Sequence, residues 1–176
     1  GRAEWALSQV FLGNTLMTLG QREDDVALLR EAVAAYEAAL GVVQGDMHAF
    51  DVDWLEIAYN VAGTQNQIAI RERSRADLAN VAERFGELAA AAGRDTDPER
   101  WARAVAAQSN SFIELARLGG DGTDKRRSAA LIEEAMAVRR GVAGPEEWGQ
   151  YLRFAATTHS EVGILEENLD LLLLSD

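Results

Sequence analysis

The chain has 176 residues, of which 48% are hydrophobic and 26% are charged, a composition typical of a globular domain with a continuous core. Its formal net charge of −12, without a basic stripe that carries interleaved aromatic residues, argues against nucleic-acid binding. The absence of cysteine excludes disulfides and thiolate metal sites, and no apolar run approaches the roughly 18 residues that a membrane span needs.

The first unit is predicted over residues 1–50 as two helices joined by a short turn. Its first helix is expected at about Glu4–Leu19, with leucines at helical spacing on one face: Leu12, Leu16 and Leu19. Gly20–Glu23 is the expected turn, and Asp24 or Asp25 can cap the second helix. The glycines expected to end that helix are Gly41 and Gly45. Its apolar set is Leu29, Ala32, Val33, Tyr36, Ala39 and Leu40.

The second unit, over residues 51–97, repeats this plan. Asp53 can cap a first helix that is expected at about Trp54–Arg71. A partner helix is expected at about Arg75–Ala92, and Gly93 is placed to stop it. The residues expected to face inward are Trp54, Ile57, Ala58, Val61 and Ile68 in the first helix and Leu78, Val81, Phe85 and Leu88 in the second.

The third unit, residues 98–144, and the incomplete fourth unit, residues 145–176, share a helix-start signal. In each, a proline stands three residues before a tryptophan, and in the third unit Asp97 precedes it as a cap. The helices expected in these units are roughly Pro98–Leu118, Asp124–Arg140 and one from Pro145 to about Leu174. Gly119–Thr123 is the expected flexible loop of the third unit.

Tryptophans mark the four units at intervals of 49, 47 and 47 residues: Trp5, Trp54, Trp101 and Trp148. Small residues follow each tryptophan eight and fifteen positions later: Gly13 and Gly20, Ala62 and Ala69, Ser109 and Ala116, Ala156 and Gly163. Small residues at helical spacing let a neighbouring helix approach closely, and a period of this length is typical of stacked repeats. The recurrence predicts that the indoles pack repeat against repeat rather than anchor a ligand.

A family resemblance rests on the run from Leu12 to Leu16, followed by Ala32, Tyr36 and Ala39-Leu40. This pattern resembles the tetratricopeptide repeat. The later units keep it in weaker form, through Ala62 and Phe85, then Ser109 and Phe112. The family period is 34 residues, so the chain is similar to the long-period variants of bacterial multidomain proteins. The resemblance implies an all-α fold, an α-solenoid of antiparallel helix pairs with about seven helices in a right-handed superhelix.

The resemblance also implies that the first helix of each pair lines a concave groove. Three columns of that helix are expected to point inward, and the candidate partner-binding residues taken from them are Val10, Asn14, Met17, Tyr59, Asn66, Asn110, Ile113, Arg153, Thr157 and Ser160. Asparagine can hydrogen-bond a peptide backbone as donor and as acceptor. A carboxylate clamp is not expected, because Val10 and Ala106 stand where the family's clamp has lysine. The alternative role of Asn14 and Asn110 is interhelix or solvent hydrogen bonding.

Three aromatic residues break the repeat pattern and are further contact candidates, with a place in the core as the alternative: Phe11, Tyr59 and Phe154. Catalytic patterns are missing. His48 lies in a linker, His159 is expected in the core, and no histidine pair has metal-ligand spacing. The adjacent glutamates point about 100° apart on a helix and form no acid–base couple. We therefore predict no enzyme activity, no cofactor and no metal site.

Three functions remain open. The first is a non-catalytic scaffold that binds a peptide or protein segment in the groove, in the cytoplasm, since a cysteine-free chain fits a reducing compartment. The second is self-association through the terminal helices, where an apolar stripe is left uncovered in sequence: Leu165, Leu169, Leu172 and Leu173. The third is a regulatory repeat segment of a larger enzyme or signalling protein. The chain is expected to be a fragment of a longer array or to pair with another copy.

Overall fold

The computed structural model describes residues 1–45, 53–119 and 122–162, and the regular elements within these ranges are α-helices. They are α1 Arg2–Glu23, α2 Val26–Gly45, α3 Trp54–Arg71, α4 Arg75–Ala92, α5 Pro98–Arg117, α6 Gly122–Arg139 and α7 Pro145–Val162. Consecutive helices pack on one another: α1 on α2, α2 on α3, α5 on α6 and α6 on α7. The predicted all-α class, built from helix pairs, is therefore confirmed.

In the structure the chain divides into two compact units that differ from the four units predicted from the sequence: a first unit, Gly1–Asp77, and a second unit, Leu78–Asp176. The first unit contains α1, α2 and α3. The second contains most of α4 together with α5, α6 and α7.

Helix starts follow the predicted caps. Asp25 accepts hydrogen bonds from the backbone N–H groups of Ala27 and Leu28 at the start of α2, at 2.7 and 3.4 Å. Asp53 caps α3 in the same way. At α5, Asp97 accepts from the backbone of Arg100, and Pro98 occupies the first helical position. Since a cap satisfies donors that the helix itself cannot, these starts are set locally.

The predicted end of α1 is wrong, and the predicted end of α2 is correct for Gly45 but wrong for Gly41. Gly20–Glu23 is not a turn, because α1 continues to Glu23 and the chain reverses at Asp24, whose φ of 54° is left-handed. Gly20 is buried, and a Cβ there would lie 2.9 Å from Cδ2 of Leu29. It permits close helix packing rather than ending a helix. Gly41 likewise lies inside α2.

The α5–α6 boundaries are also shifted. The predicted loop Gly119–Thr123 is shorter than expected, because α6 already begins at Gly122. Gly119 has a φ of 93°, a conformation that favours glycine, after α5 ends at Arg117. The proposed extension of the last helix to Leu174, and the leucine stripe within it, lie outside the described residues.

The core of the first unit is a cluster of buried residues from α1, α2 and α3: Ala6, Ala32, Tyr36, Ala39, Val43, Ile57 and Val61. The apolar set predicted for α2 is confirmed, because its members are buried or pack against this cluster. The α1 prediction is wrong in part, because Leu12 is exposed while small residues are buried, namely Ala6, Gly13 and Gly20. A glycine and alanine stripe brings the backbone of α1 close to α2. The leucine side of α1 is therefore only partly covered: Leu16 packs against the cluster, Leu19 is half-buried and Leu12 is exposed.

The second unit buries the predicted α4 residues Leu78, Val81, Phe85 and Leu88. Between α5 and α6, the hydroxyls of Ser109 and Ser128 each donate to the other residue's backbone carbonyl oxygen, at 2.7 and 2.8 Å. Both side chains are fully buried. These reciprocal bonds satisfy polar groups that would otherwise destabilise the pair.

Tyr36 supplies a pH-dependent contribution to stability, because burial raises the pKa of its phenol to about 12. The folded state then retains a proton that the unfolded state loses near pH 10. Its contribution is complete below pH 10 and is lost as the pH rises toward 12. We expect the free energy of unfolding to fall by about 2 kcal/mol more in the native protein than in Tyr36→Phe over this window. Urea unfolding at several alkaline pH values measures this, and parallel curves for the two proteins would contradict it.

Candidate functional site

A stripe of solvent-facing residues runs along α1, and we call it the α1 groove stripe: Leu7, Phe11, Asn14 and Thr18. These residues are spaced four, three and four apart, so they share one side of the helix. The Phe11 side chain is 67% exposed. It therefore lies outside the core, where it can contact a partner. Next to the stripe lies an open depression of about 420 Å³, lined by Asn14, Thr15, Thr18, Leu19 and Arg22.

Asn14 is held in place by the core of its own hairpin. The hydroxyl of Tyr36 donates to Oδ1 of Asn14 at 2.7 Å, and the same hydroxyl lies 3.9 Å from Sδ of Met17. Because this bond occupies the amide oxygen, it orients the amide nitrogen of Asn14 with its two N–H donors. Asn14 therefore makes the interhelix hydrogen bond that the sequence left open as an alternative. Its amide N–H groups remain suited to donate to a peptide carbonyl.

The other candidates in the first unit lie deeper. Val10 and Met17 are half-buried and pack against the hydrophobic cluster around Tyr36. Tyr59 is half-buried on α3, and Asn66 on the same helix is buried. Of the sequence-derived candidates in this unit, Asn14 is the one that lines the depression on α1.

In the second unit, three candidates form an exposed stripe on α7: Arg153, Thr157 and Ser160. The Thr157 hydroxyl donates to the backbone carbonyl of Arg153 at 3.0 Å. On α5, Asn110 is half-buried and Ile113 is buried, so only Asn110 has side-chain surface to offer a partner. Phe154 is half-buried on α7.

Sequence reasoning did not select Leu7, Thr18 or Arg22. Leu7 and Phe11 are separated by one helical turn. At this spacing the sequence does not distinguish an exposed pair of large apolar residues from a buried pair. The signal that could have found them is the small-residue stripe. Once Gly13 and Gly20 define the buried side of α1, the opposite side follows from the helical period.

Features that would support chemistry are sparse. Among the described residues, no group of three or more acidic or histidine side chains could hold a metal ion. No helix in the same ranges combines the length and apolar character that crossing a bilayer requires. His159 is buried, with Nε2 3.2 Å from Oε1 of Glu133, which confirms its predicted place in the core. His48 lies outside the described residues.

Comparison with known proteins agrees with the helical pairs. Residues 5–46 match the family model described as tetratricopeptide repeat. This range covers α1 and α2, the hairpin in which Gly13 packs on Tyr36. Comparison with curated proteins and with solved structures found no significant match. The matched hairpin, the tryptophan period and the consecutive packing of the helices together support a tetratricopeptide-like repeat protein.

Proposed function

We propose that this protein is a non-catalytic scaffold that binds an extended or helical segment of a partner protein along the exposed side of its first helices. Tetratricopeptide repeats generally mediate protein–protein interactions, and this chain matches that family over its first hairpin. The observation that carries the proposal is the α1 groove stripe, where an exposed phenylalanine lies one turn from an oriented asparagine amide.

The chemistry of the stripe suits a peptide. Leu7 and Phe11 offer apolar surface, and large aromatic side chains are the residues most often responsible for binding energy. Asn14 offers N–H donors to a backbone carbonyl, and Arg22 places a cation at the end of the same depression. The partner segment is therefore expected to present an apolar side chain beside an unpaired backbone carbonyl.

Selection from a displayed random-peptide library tests the proposal with a defined probe. We expect the purified protein to enrich apolar peptides that bind with micromolar dissociation constants. Phe11→Ala should weaken their binding at least about tenfold, because truncating an aromatic hot-spot residue typically costs about 2 kcal/mol or more, and about 1.4 kcal/mol corresponds to a factor of ten. The melting temperature should stay almost unchanged, since the Phe11 side chain is mostly exposed.

The matched control is Val142→Ala. Val142 is 68% exposed, close to the value for Phe11, but it lies in the turn after α6. It should leave peptide binding unchanged. Equal loss in both variants, or failure of the library to enrich any sequence, would contradict the proposal. Asn14→Ala is a poorer test, because it also removes the acceptor of the Tyr36 hydroxyl.

Self-association is a second candidate function, and a specific observation favours it. Apolar side chains on a further side of α1, Trp5 and Leu12, are 47% and 46% exposed. The predicted C-terminal partner face, the leucine stripe from Leu165 to Leu173, lies outside the described residues. A regulatory role within a larger protein stays a prediction.

A further inference from the structure

Between α1 and α2, one hydroxyl group faces two hydrogen-bond acceptors. The Tyr36 oxygen lies 2.7 Å from Oδ1 of Asn14 and 3.9 Å from Sδ of Met17. Asn14 and Met17 are three residues apart on α1, so their side chains leave the same side of the helix. A phenol has a single O–H proton to donate. Asn14 and Met17 therefore compete for one hydrogen bond.

The chemistry of the two acceptors explains why Asn14 receives this bond. An amide carbonyl oxygen is a good acceptor, whereas a thioether sulfur is a weak one. The distance to Asn14 is that of a well-formed O–H···O bond, and the contact with sulfur is long. The phenol keeps its proton at neutral pH, because burial raises the pKa of Tyr36 to about 12. The bond would move to Met17 only if the Met17 acceptor became stronger.

Oxidation of the thioether by a peroxide produces such an acceptor. The sulfur lone pair forms a new S–O bond, the peroxide O–O bond breaks, and the proton of the transferred oxygen passes to the leaving hydroxide, so that water is released. Sulfur is oxidised and the peroxide is reduced, and no other electron donor or acceptor takes part. The product, methionine sulfoxide, has a polar oxygen where the thioether was apolar.

Met17 is accessible to a small oxidant. Its side chain is half-buried, whereas Met136 on α6 is only 4% exposed. Because a peroxide must reach the sulfur atom, we expect Met17 to react before Met136. The third methionine of the chain, Met47, lies outside the described residues.

The surroundings of Met17 direct the new oxygen toward Tyr36. An unbranched methionine side chain has three rotatable bonds, so an oxygen added on the exposed side of the sulfur can turn inward. An oxygen bonded to Sδ on the side of Tyr36 would lie closer to the hydroxyl than the sulfur does. Met17 otherwise packs against the hydrophobic cluster of the first unit. Since a buried polar group without a partner costs free energy, the hydroxyl is the favourable donor for the sulfoxide.

We propose that Met17 is an oxidation site, at which the sulfoxide oxygen accepts the Tyr36 hydrogen bond in place of Asn14. Asn14 then loses the bond that orients its amide, and the α1 groove stripe loses a fixed pair of N–H donors. The effect on partner binding rests on the proposed function, whereas the modification and the exchange of the hydrogen bond do not. A methionine sulfoxide reductase, with a dithiol as electron donor, would remove the oxygen as water and restore the bond to Asn14.

Peptide mass spectrometry after mild treatment of the full chain with hydrogen peroxide tests the site of modification. We expect one added oxygen atom at Met17 at a dose that leaves Met136 unmodified. Modification of Met136 before Met17 would overturn the proposal.

Tyr36→Phe tests the exchange of the hydrogen bond, because it removes the hydroxyl and keeps the ring. The sulfoxide has a donor in the native protein and lacks it in the variant. We therefore expect the same peroxide dose to lower the melting temperature about twice as much in Tyr36→Phe as in the native protein. Met17→Leu is the matched control: it keeps the other two methionines, and the dose should leave its melting temperature unchanged. Equal losses in the native protein and in Tyr36→Phe would overturn the proposal.

The side-chain amide signals of Asn14 in nuclear magnetic resonance spectra report its release directly. Oxidation should shift these signals in the native protein and leave them nearly unchanged in Tyr36→Phe and in Met17→Leu. Treatment with sulfoxide reductase should return the native signals to their original positions. Unchanged Asn14 signals in native protein that carries the Met17 sulfoxide would overturn the proposal.

Peptide binding is the one readout that depends on the proposed function. Peptides enriched from the displayed library should bind the oxidised native protein about fivefold more weakly, because one oriented hydrogen-bond donor is lost. Each protein is compared with itself before and after treatment, and the ratio for Met17→Leu should stay near one. If no peptide is enriched, the proposed function fails, and the Asn14 signals still decide whether the hydrogen bond is exchanged. An unchanged affinity of the oxidised native protein would contradict the effect on binding.

Discussion

Gly13→Ala is expected to lower the free energy of unfolding by about 2 kcal/mol, although alanine forms helix better than glycine by about 1 kcal/mol. The reason is the distance to Tyr36. A Cβ on Gly13 would lie 2.6 Å from Cε1 and 2.7 Å from Cδ1 of that ring. Two carbon atoms cannot approach so closely, so α1 and α2 would have to separate.

The ring cannot move aside to make room. Tyr36 is fully buried in the cluster of the first unit, and its hydroxyl is held by Asn14. Separation of the helices would also weaken the packing of Gly20 on Leu29, one further position of the same stripe. Overpacking of this kind exceeds the gain in helix propensity, and urea unfolding followed by circular dichroism measures the difference.

The control is Gly63→Ala, a glycine inside α3. Among the described residues, no atom outside its chain neighbours and its own helix backbone lies within 4 Å of the added Cβ. This substitution should raise the free energy of unfolding by about 0.5–1 kcal/mol, since only the propensity changes. A double variant, Gly13→Ser with Tyr36→Ile, copies Ser109 and Ile132, which stand at the equivalent positions of the sequence repeat over residues 98–144. It should be more stable than the sum of its single changes predicts. If Gly13→Ala stabilised the protein as Gly63→Ala does, the close helix contact would not exist in solution.

Glu147→Gln is the second substitution with a large expected effect, also a loss of about 2 kcal/mol. Arg139 at the end of α6 is only 8% exposed. Its Nε donates to Oε1 of Glu147 at 3.0 Å and its terminal nitrogen donates to Oε2 at 2.8 Å. Removing the carboxylate charge leaves a nearly buried guanidinium without its bidentate partner. The loss stays below that of a fully buried pair because the Glu147 side chain is 39% exposed.

The ion pair also predicts a response to acid. Hydrogen bonds from Arg139 hold the pKa of Glu147 below its usual value near 4.5. The pair's contribution is therefore complete above pH 4.5 and is lost as the pH falls through the depressed pKa of the folded state. Native protein should lose more stability than Glu147→Gln between pH 5 and strongly acidic pH, as measured by urea unfolding.

Neighbouring residues supply the controls for this pair. Glu146→Gln removes an exposed carboxylate from the same first turn of α7 and should change stability by less than about 0.5 kcal/mol. Arg139→Met combined with Glu147→Leu removes both charges and should be close to neutral, since no buried charge is left without a partner. Similar losses for Glu146→Gln and Glu147→Gln would indicate a general effect of charge on α7 rather than the bidentate pair.

The candidate site could be predicted only in part. Phe11 and Asn14 were selected in sequence because one breaks the repeat pattern and the other follows the small residue. Both have surface on α1 in the structure. Asn66 and Ile113 came from equivalent columns and are buried, because equivalent positions in a degenerate repeat do not have equivalent neighbours. Leu7 and Thr18 could not be predicted as site residues, because the sequence alone does not show which side of α1 is covered.

The amino-acid sequence by itself determined where α2, α3, α5 and α7 begin and how the tryptophan-marked repeats are spaced. A cap such as Asp53 or Asp97 acts on the next three residues, and the tryptophan period needs no tertiary information. Only the tertiary structure decided which side of a helix is buried and whether a glycine ends it. Gly20 packs against Leu29 inside a continuous helix, and Leu12 faces solvent although Val61 at the same register is buried. Burial depends on what lies opposite a side chain, and that neighbour is distant in sequence.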